Sequence, residues 1–190
     1  MNVKKVLMVV GSLAAVAALV LGVVSTDARD VNPLGAIAVA AAAFAVLKAP
    51  GFPKTSGSGG LHVYVPMPPG TPYGAGLLFC QIVATMVAKK HPRTATVERS
   101  IAARGNRIYV DYLQNIQGKT LASAYSARAN DFAGVSTPLT WEEVDAGVTP
   151  QDFTVANFAA RLDSVGDLWA GLRKSKGVDL REVEKYARDT

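Results

Sequence analysis

FPKTSGSGGLHVYVP, residues 52–66, sets the architecture of this 190-residue chain. Leu61, Val63 and Val65 alternate with His62 and Tyr64, the period-two pattern of a half-buried strand. The stretch before it, TSGSGG at residues 55–60, is a glycine-serine loop. Such loops expose successive backbone N–H groups and let a phosphate approach without Cβ clashes. Ser56 adds a hydroxyl and Lys54 a positive charge. An ordinary hairpin turn is the competing account. A Walker loop is excluded, because no lysine followed by serine or threonine closes the segment.

Downstream, residues 72–90 read as a helix with Leu77, Leu78, Ile82, Val83, Met86 and Val87 on one broad face. Lys89, Lys90 and His91 sit at its C-terminal end, where cations suit the helix dipole. Cys80 lies in this apolar stretch as a buried thiol, and a single cysteine excludes an intrachain disulfide. RIYVDY, residues 107–112, reads as a strand and carries Asp111, the only acid between Arg99 and Asn130. An aspartate in an apolar strand is costly unless a cation or metal pairs with it. Arg104, Arg107, Lys119 and Arg128 are the candidate partners. Residues 119–128, KTLASAYSAR, read as the next strand, with Ser126 and Arg128 on one side. A loop at 131–139, a helical turn at 141–144, helices at 153–162 and 163–173 and an amphipathic tail at 179–188 complete the pattern.

Upstream, Met1 to Lys5 is positive, and Val6 to Val24 is an uncharged apolar run. Three readings stay open for it: a membrane span with Lys4 and Lys5 inside, a secretory signal with a poor cleavage pattern at Thr26 and Ala28, or a core helix or strand-helix unit. Residues 34–47 read as a core helix, opened by Asn32 and Pro33. The domain expectation is an apolar N-terminal segment at 1–33, a compact domain at 34–173 and a tail at 174–190. Charge is uneven: residues 50–130 carry nine basic residues against Glu98 and Asp111, whereas 131–190 are net acidic. A concentrated positive block suits a phosphate-bearing partner.

The order of these pieces resembles the polymerase domain of bacterial non-homologous end-joining ligase D, of the archaeo-eukaryotic primase superfamily. The resemblance rests on FPKTSGSGGLHVYVP, on RGNRIYVDYLQN with GKTLASAYSARA, and on VSTPLTWEEV followed by DFT, RL and GDLWA, across residues 50–170. It implies an α+β fold, a partial primase-polymerase catalytic fold with a mixed or antiparallel sheet, flanking helices and an apolar N-terminal helix. If active, the chain would be a template-directed nucleotidyltransferase of DNA/RNA polymerase or primase type. The resemblance makes Asp111 the catalytic and metal-binding aspartate, with Mg or Mn as cofactor. Ser56 and His62 would contact the incoming nucleotide's phosphates, and Arg104, Gln114, Lys119 and Arg128 would line the nucleotide site. A nucleoside triphosphate, DNA and end-joining proteins are the implied partners, in a cytoplasmic setting, with membrane contact through residues 6–24 as a further option.

The departures matter equally. The family's Asp-x-Asp metal pair falls, without gaps, near Leu21 to Val23, which are apolar. Asp27 and Asp30 are the nearest acids, at the wrong spacing for one face of a strand. Gly59 replaces the basic residue often found before Gly60, and the family's N-terminal portion has no counterpart. One carboxylate instead of three weakens metal binding, and phosphoryl transfer depends on that metal. Three accounts follow: a truncated domain binding nucleotide or nucleic acid with reduced or absent transfer activity, an active enzyme completed by Asp27, Asp30 or a partner, or a membrane-anchored scaffold.

Overall fold

Alternating residues and a glycine-rich connection close into the expected hairpin, and three further strands extend it into a sheet. The computed structural model describes residues 18–24 and 49–181. The strands are β1 (Ala18–Val24), β2 (Phe52–Thr55), β3 (Leu61–Pro66), β4 (Ala95–Thr96) and β5 (Ile108–Asp111), in the order β2-β3-β1-β5-β4. All neighbours pair antiparallel except β4 and β5, which are parallel. The sheet is thus mixed, one of the two forms, mixed or antiparallel, that the resemblance implies.

One face of the sheet is apolar. Val63, Val65 and Val110 pack against α1 (Tyr73–Lys90), which buries Gly76, Phe79, Cys80, Val83, Ala84 and Val87. Each fully buried side chain of this kind stabilises by about 1.5–3 kcal/mol. The buried stripe of α1 is rotated from the expected one: Phe79 and Cys80 face the sheet, while Leu78 is 56% exposed. Lys89 and Lys90 occupy the last turn, as expected. The other face carries Lys54, His62, Tyr64, Tyr109 and Asp111, and there the downstream chain packs.

That chain is organised by short elements. α2 (Ile101–Arg104) is capped by the Ser100 hydroxyl, and α3 (Trp141–Ala146) begins with a Thr140/Glu143 capping box. α4 (Phe158–Val165) and α5 (Ala170–Lys174) replace the longer helices expected at 153–162 and 163–173. The physical reason lies in Phe153 to Asn157. The Phe153 carbonyl accepts from Val135 N at 2.8 Å, and the Asn157 side chain bonds Thr154 N and Asp152 O, which holds this stretch out of a helix. Residues 137–139 cover the outer edge of β2, with Thr55 N donating to Thr137 O and Leu139 N to Pro53 O. Pro53, which lacks an N–H, fits such a position.

Two expectations are corrected. Residues 119–128 do not form a strand; only Ala127 makes a bridge, to Val135. Tyr125 takes φ +68°, turning the chain so that its hydroxyl reaches Asp167 at 2.6 Å. The apolar run ending at Val24 is not a continuous helix either, because Ala18–Val24 is a strand paired on both sides. Seven residues of the expected span are thereby committed to a strand at the sheet centre. Residues 1–17, the helix expected at 34–47, Asp27, Asp30 and most of the 179–188 tail lie outside the described residues. Among the described residues no helix is long and apolar enough to cross a membrane.

Candidate phosphate-binding site

The polar face is built from one row of register partners. Lys54 on β2 pairs with His62 on β3, His62 pairs with Gly22 on β1, and Gly22 pairs with Asp111 on β5. Directly opposed residues share a face, so a lysine, a histidine and an aspartate stand in line, with a glycine between the last two. At about 4.8 Å per strand, His62 and Asp111 are separated by about 10 Å of backbone.

The hairpin loop beside Lys54 and His62 is held by Ser56. Its Oγ accepts from Ser58 N and Gly60 N, both at 3.1 Å, and Ser56 N donates to Gly60 O at 2.8 Å. Among the described residues that hydroxyl donates to no acceptor, which leaves its proton for an anion. Gly57 has φ +73°, and a Cβ there would lie 2.6 Å from Arg128 Cγ and 2.9 Å from Ser136 N. Glycine is therefore required, and its absence of a side chain lets the Arg128 stem lie across the loop. Asn130 ties the two segments together: its Nδ2 donates to Gly57 O at 2.7 Å and its Oδ1 accepts from Gly134 N at 2.9 Å.

Electrostatics in this corner are one-sided. Lys54 is fully buried, and among the described residues its Nζ donates only to neutral oxygens, Thr55 O at 3.1 Å and the Ser136 hydroxyl. Burial and the neighbouring Arg128 guanidinium push its pKa down to about 7. His62 is 6% exposed, and its Nδ1 finds no partner among the described residues. Burial, then Lys54 and Arg128, push its pKa down to about 3, so the imidazole is neutral. Burying basic groups together without a carboxylate costs free energy, and a docked anion relieves that cost.

The Asp111 end is different. Its Oδ1 accepts from Leu113 N at 2.8 Å and from the Tyr109 hydroxyl at 3.4 Å, and its Oδ2 from Gln114 Nε2 at 3.2 Å. Neutral donors thus satisfy a carboxylate for which a cation or metal was expected. Arg104, buried, stacks its guanidinium 4.8 Å from the Tyr109 ring, one residue removed from Asp111. Among the described residues a two-ion centre lacks its donors: no three His, Cys, Asp or Glu gather to hold a metal. β1, the strand between His62 and Asp111, contains no acid.

The structure therefore brings Ser56, His62 and Arg128 together, and places Gln114 on Asp111 with Arg104 behind it. Lys119 is exposed on the turn after the 113–115 segment, and no described contact joins its side chain to either group. Sequence reasoning named Lys54 as a charge beside the loop but left Asn130 and Ser136 out of the site. The hairpin register adds that Lys54 pairs with His62; Asn130 and Ser136 gave no local signal.

Comparisons with known proteins converge on one family. The model described as LigD, primase-polymerase domain, matches residues 30–169. The bifunctional non-homologous end joining protein LigD of Bacillus subtilis is 36% identical over 60% of this chain and 19% of its own length. The multifunctional LigD of Mycolicibacterium smegmatis is 35% identical over 64% of this chain and 16% of its own length. The chain thus spans less than a fifth of these curated relatives. Among solved structures, the polymerase domain of Mycobacterium tuberculosis ligase D in complex with DNA aligns with TM-score 0.73 and 28% identity, covering 82% of this chain and 54% of the other. The family match leaves out β1, the strand that lacks the metal-binding pair. With the hairpin, the 56–60 loop, His62 and Asp111 all in the expected order, the chain belongs to the LigD primase-polymerase domain family.

Proposed function

We propose that this chain acts in end-joining repair as a phosphate-binding member of its family, docking a nucleoside triphosphate or a nucleic-acid phosphate with little or no nucleotidyl transfer. The row Lys54, His62, Gly22, Asp111 carries this reading. At one end Lys54, His62, Arg128 and a serine-pinned glycine loop stand with no carboxylate beside them among the described residues, the donor set that phosphate oxygens need. At the other end a lone carboxylate is already hydrogen-bonded, and the strand beside it offers no second one. Divalent ions that organise phosphoryl transfer require several charge-dense oxygens. Similarity to a domain solved with DNA supports a nucleic-acid phosphate as one ligand, and the positive block at residues 50–130 favours it further.

The test is an extension assay on the full chain with a 5′-phosphorylated overhanging duplex, ribo- and deoxynucleoside triphosphates and manganese, run beside anisotropy of a labelled dCTP. Binding without a single added nucleotide is the expected outcome. Extension that Asp111→Ala abolishes would overturn the reading, and would point to Asp27 or Asp30 as the completing ligands.

A further inference from the structure

Lys54 is a buried amine of this corner that faces no carboxylate among the described residues. Its amine is sealed in, with a carbonyl and a hydroxyl as acceptors, and the Tyr64 ring lies 5.7 Å from Nζ. Among the described residues, the elements packed around Lys54 supply no counter-charge. β3 supplies His62 and Tyr64, β1 supplies the neutral Gly22, and the 126–136 segment supplies Arg128 and Ser136. The strap packed on Tyr64 through Trp169 carries Asp167, but that carboxylate is engaged by Arg173, Tyr125 and Trp169 N. Asp111 lies three strand spacings away, about 14 Å. Beside this sealed amine, the His62 Nδ1 is also buried and without a described partner.

We propose that Lys54 closes a metal-free phosphate subsite, and that a phosphate group docking against the 56–60 loop, His62 and Arg128 draws a proton onto the buried Lys54 amine. This rests on the phosphate-binding reading above and adds to it both the residue and the proton. The balance is simple: the free protein holds a neutral amine above about pH 7, the ligand arrives as a fully ionised phosphate, and solvent supplies one proton to make the ammonium. Affinity then falls with rising pH, by up to about tenfold per unit above neutrality, because each binding event must take up that proton.

The experiment is calorimetric titration of the full chain with EDTA present, in two buffers of different ionisation heat, at about pH 8 and about pH 6. The probes are dCTP and a 5′-phosphorylated oligonucleotide, beside the same oligonucleotide lacking the phosphate, which separates the two phosphate sources. Wild type is expected to take up close to one proton at the higher pH; at the lower the amine is already charged, and the phosphate, with a second pKa of about 6, instead gives a net release. Lys54→Met should bind more weakly with no uptake. Lys54→Arg, whose guanidinium does not titrate, should bind without uptake and without the pH slope. Binding in EDTA with no proton uptake overturns the role of Lys54 while leaving the phosphate site standing. Failure of both phosphorylated probes to bind overturns both.

Discussion

Arg128→Ala is expected to weaken dCTP binding by about 10–100-fold, the worth of one charge-assisted hydrogen-bond pair to a phosphate. The stem of Arg128 lies over Gly57, in the one place where the hairpin loop admits it. Its charge already lowers the pKa of both Lys54 and His62, so it stands close to both. Removing it has a second consequence that a merely structural role would not produce. Lys54 loses one of the two causes of its lowered pKa, and its titration in the free protein moves upward. Arg128→Lys should recover part of the affinity but not the bidentate geometry. Fluorescence anisotropy with labelled dCTP reads the affinity; a loss below about threefold would remove Arg128 from the site.

A large stability effect is expected at Arg161→Ala, at about 2–3 kcal/mol, or roughly 4–12 °C in Tm. Arg161 bonds both oxygens of Glu143, at 2.5 and 2.8 Å, and the Pro138 carbonyl at 3.0 Å, while its guanidinium stacks 4.8 Å from the Phe153 ring. The pair is 15% and 25% exposed, so the figure stays below that of a fully buried bridge. Its reach explains the size: Glu143 also caps α3 through Thr140 N at 2.9 Å, and the same segment presents Ser136 and Thr137 to β2. Burial pushes the Glu143 carboxyl up, but the bonds from Arg161 and Thr140 override it and hold it below the usual carboxylate range. A carboxylate with a lowered folded pKa stabilises above its unfolded pKa and loses that contribution as pH falls. The gap between wild type and Arg161→Ala, measured by urea unfolding, should therefore narrow below about pH 4.5. A difference under about 1 kcal/mol at neutral pH would show the bridge to be an ordinary surface pair.

Much of this site was legible before any coordinates. Period-two alternation at residues 61–65, the glycine-serine loop and RIYVDY each announce their element locally, because strand faces and turns are written in neighbouring residues. The segment at Ala18–Val24 was not, since an unbroken apolar run suits a buried strand and a buried helix equally. Residues 119–128 misled for the opposite reason: their alternation is strand-like, but a distant contact, Tyr125 to Asp167, fixes a turn. Lys54 shows a third kind of limit. A lysine reads as exposed from sequence, and only the hairpin register reveals that it stands behind His62 on a covered edge strand. Asp111 was singled out from the sequence as needing a cation or metal, but its described partners are the neutral Tyr109, Leu113 and Gln114.

Metal dependence of nucleotide binding tests the central claim, that the phosphate half of the site is present and the metal half is not. The full chain would be titrated with dCTP in EDTA and again with manganese. Affinities agreeing within about threefold, and unchanged by Asp111→Ala, are the predicted result. Binding that appears only with manganese and disappears in Asp111→Ala would contradict it, and would mean that a complete metal centre forms in this chain.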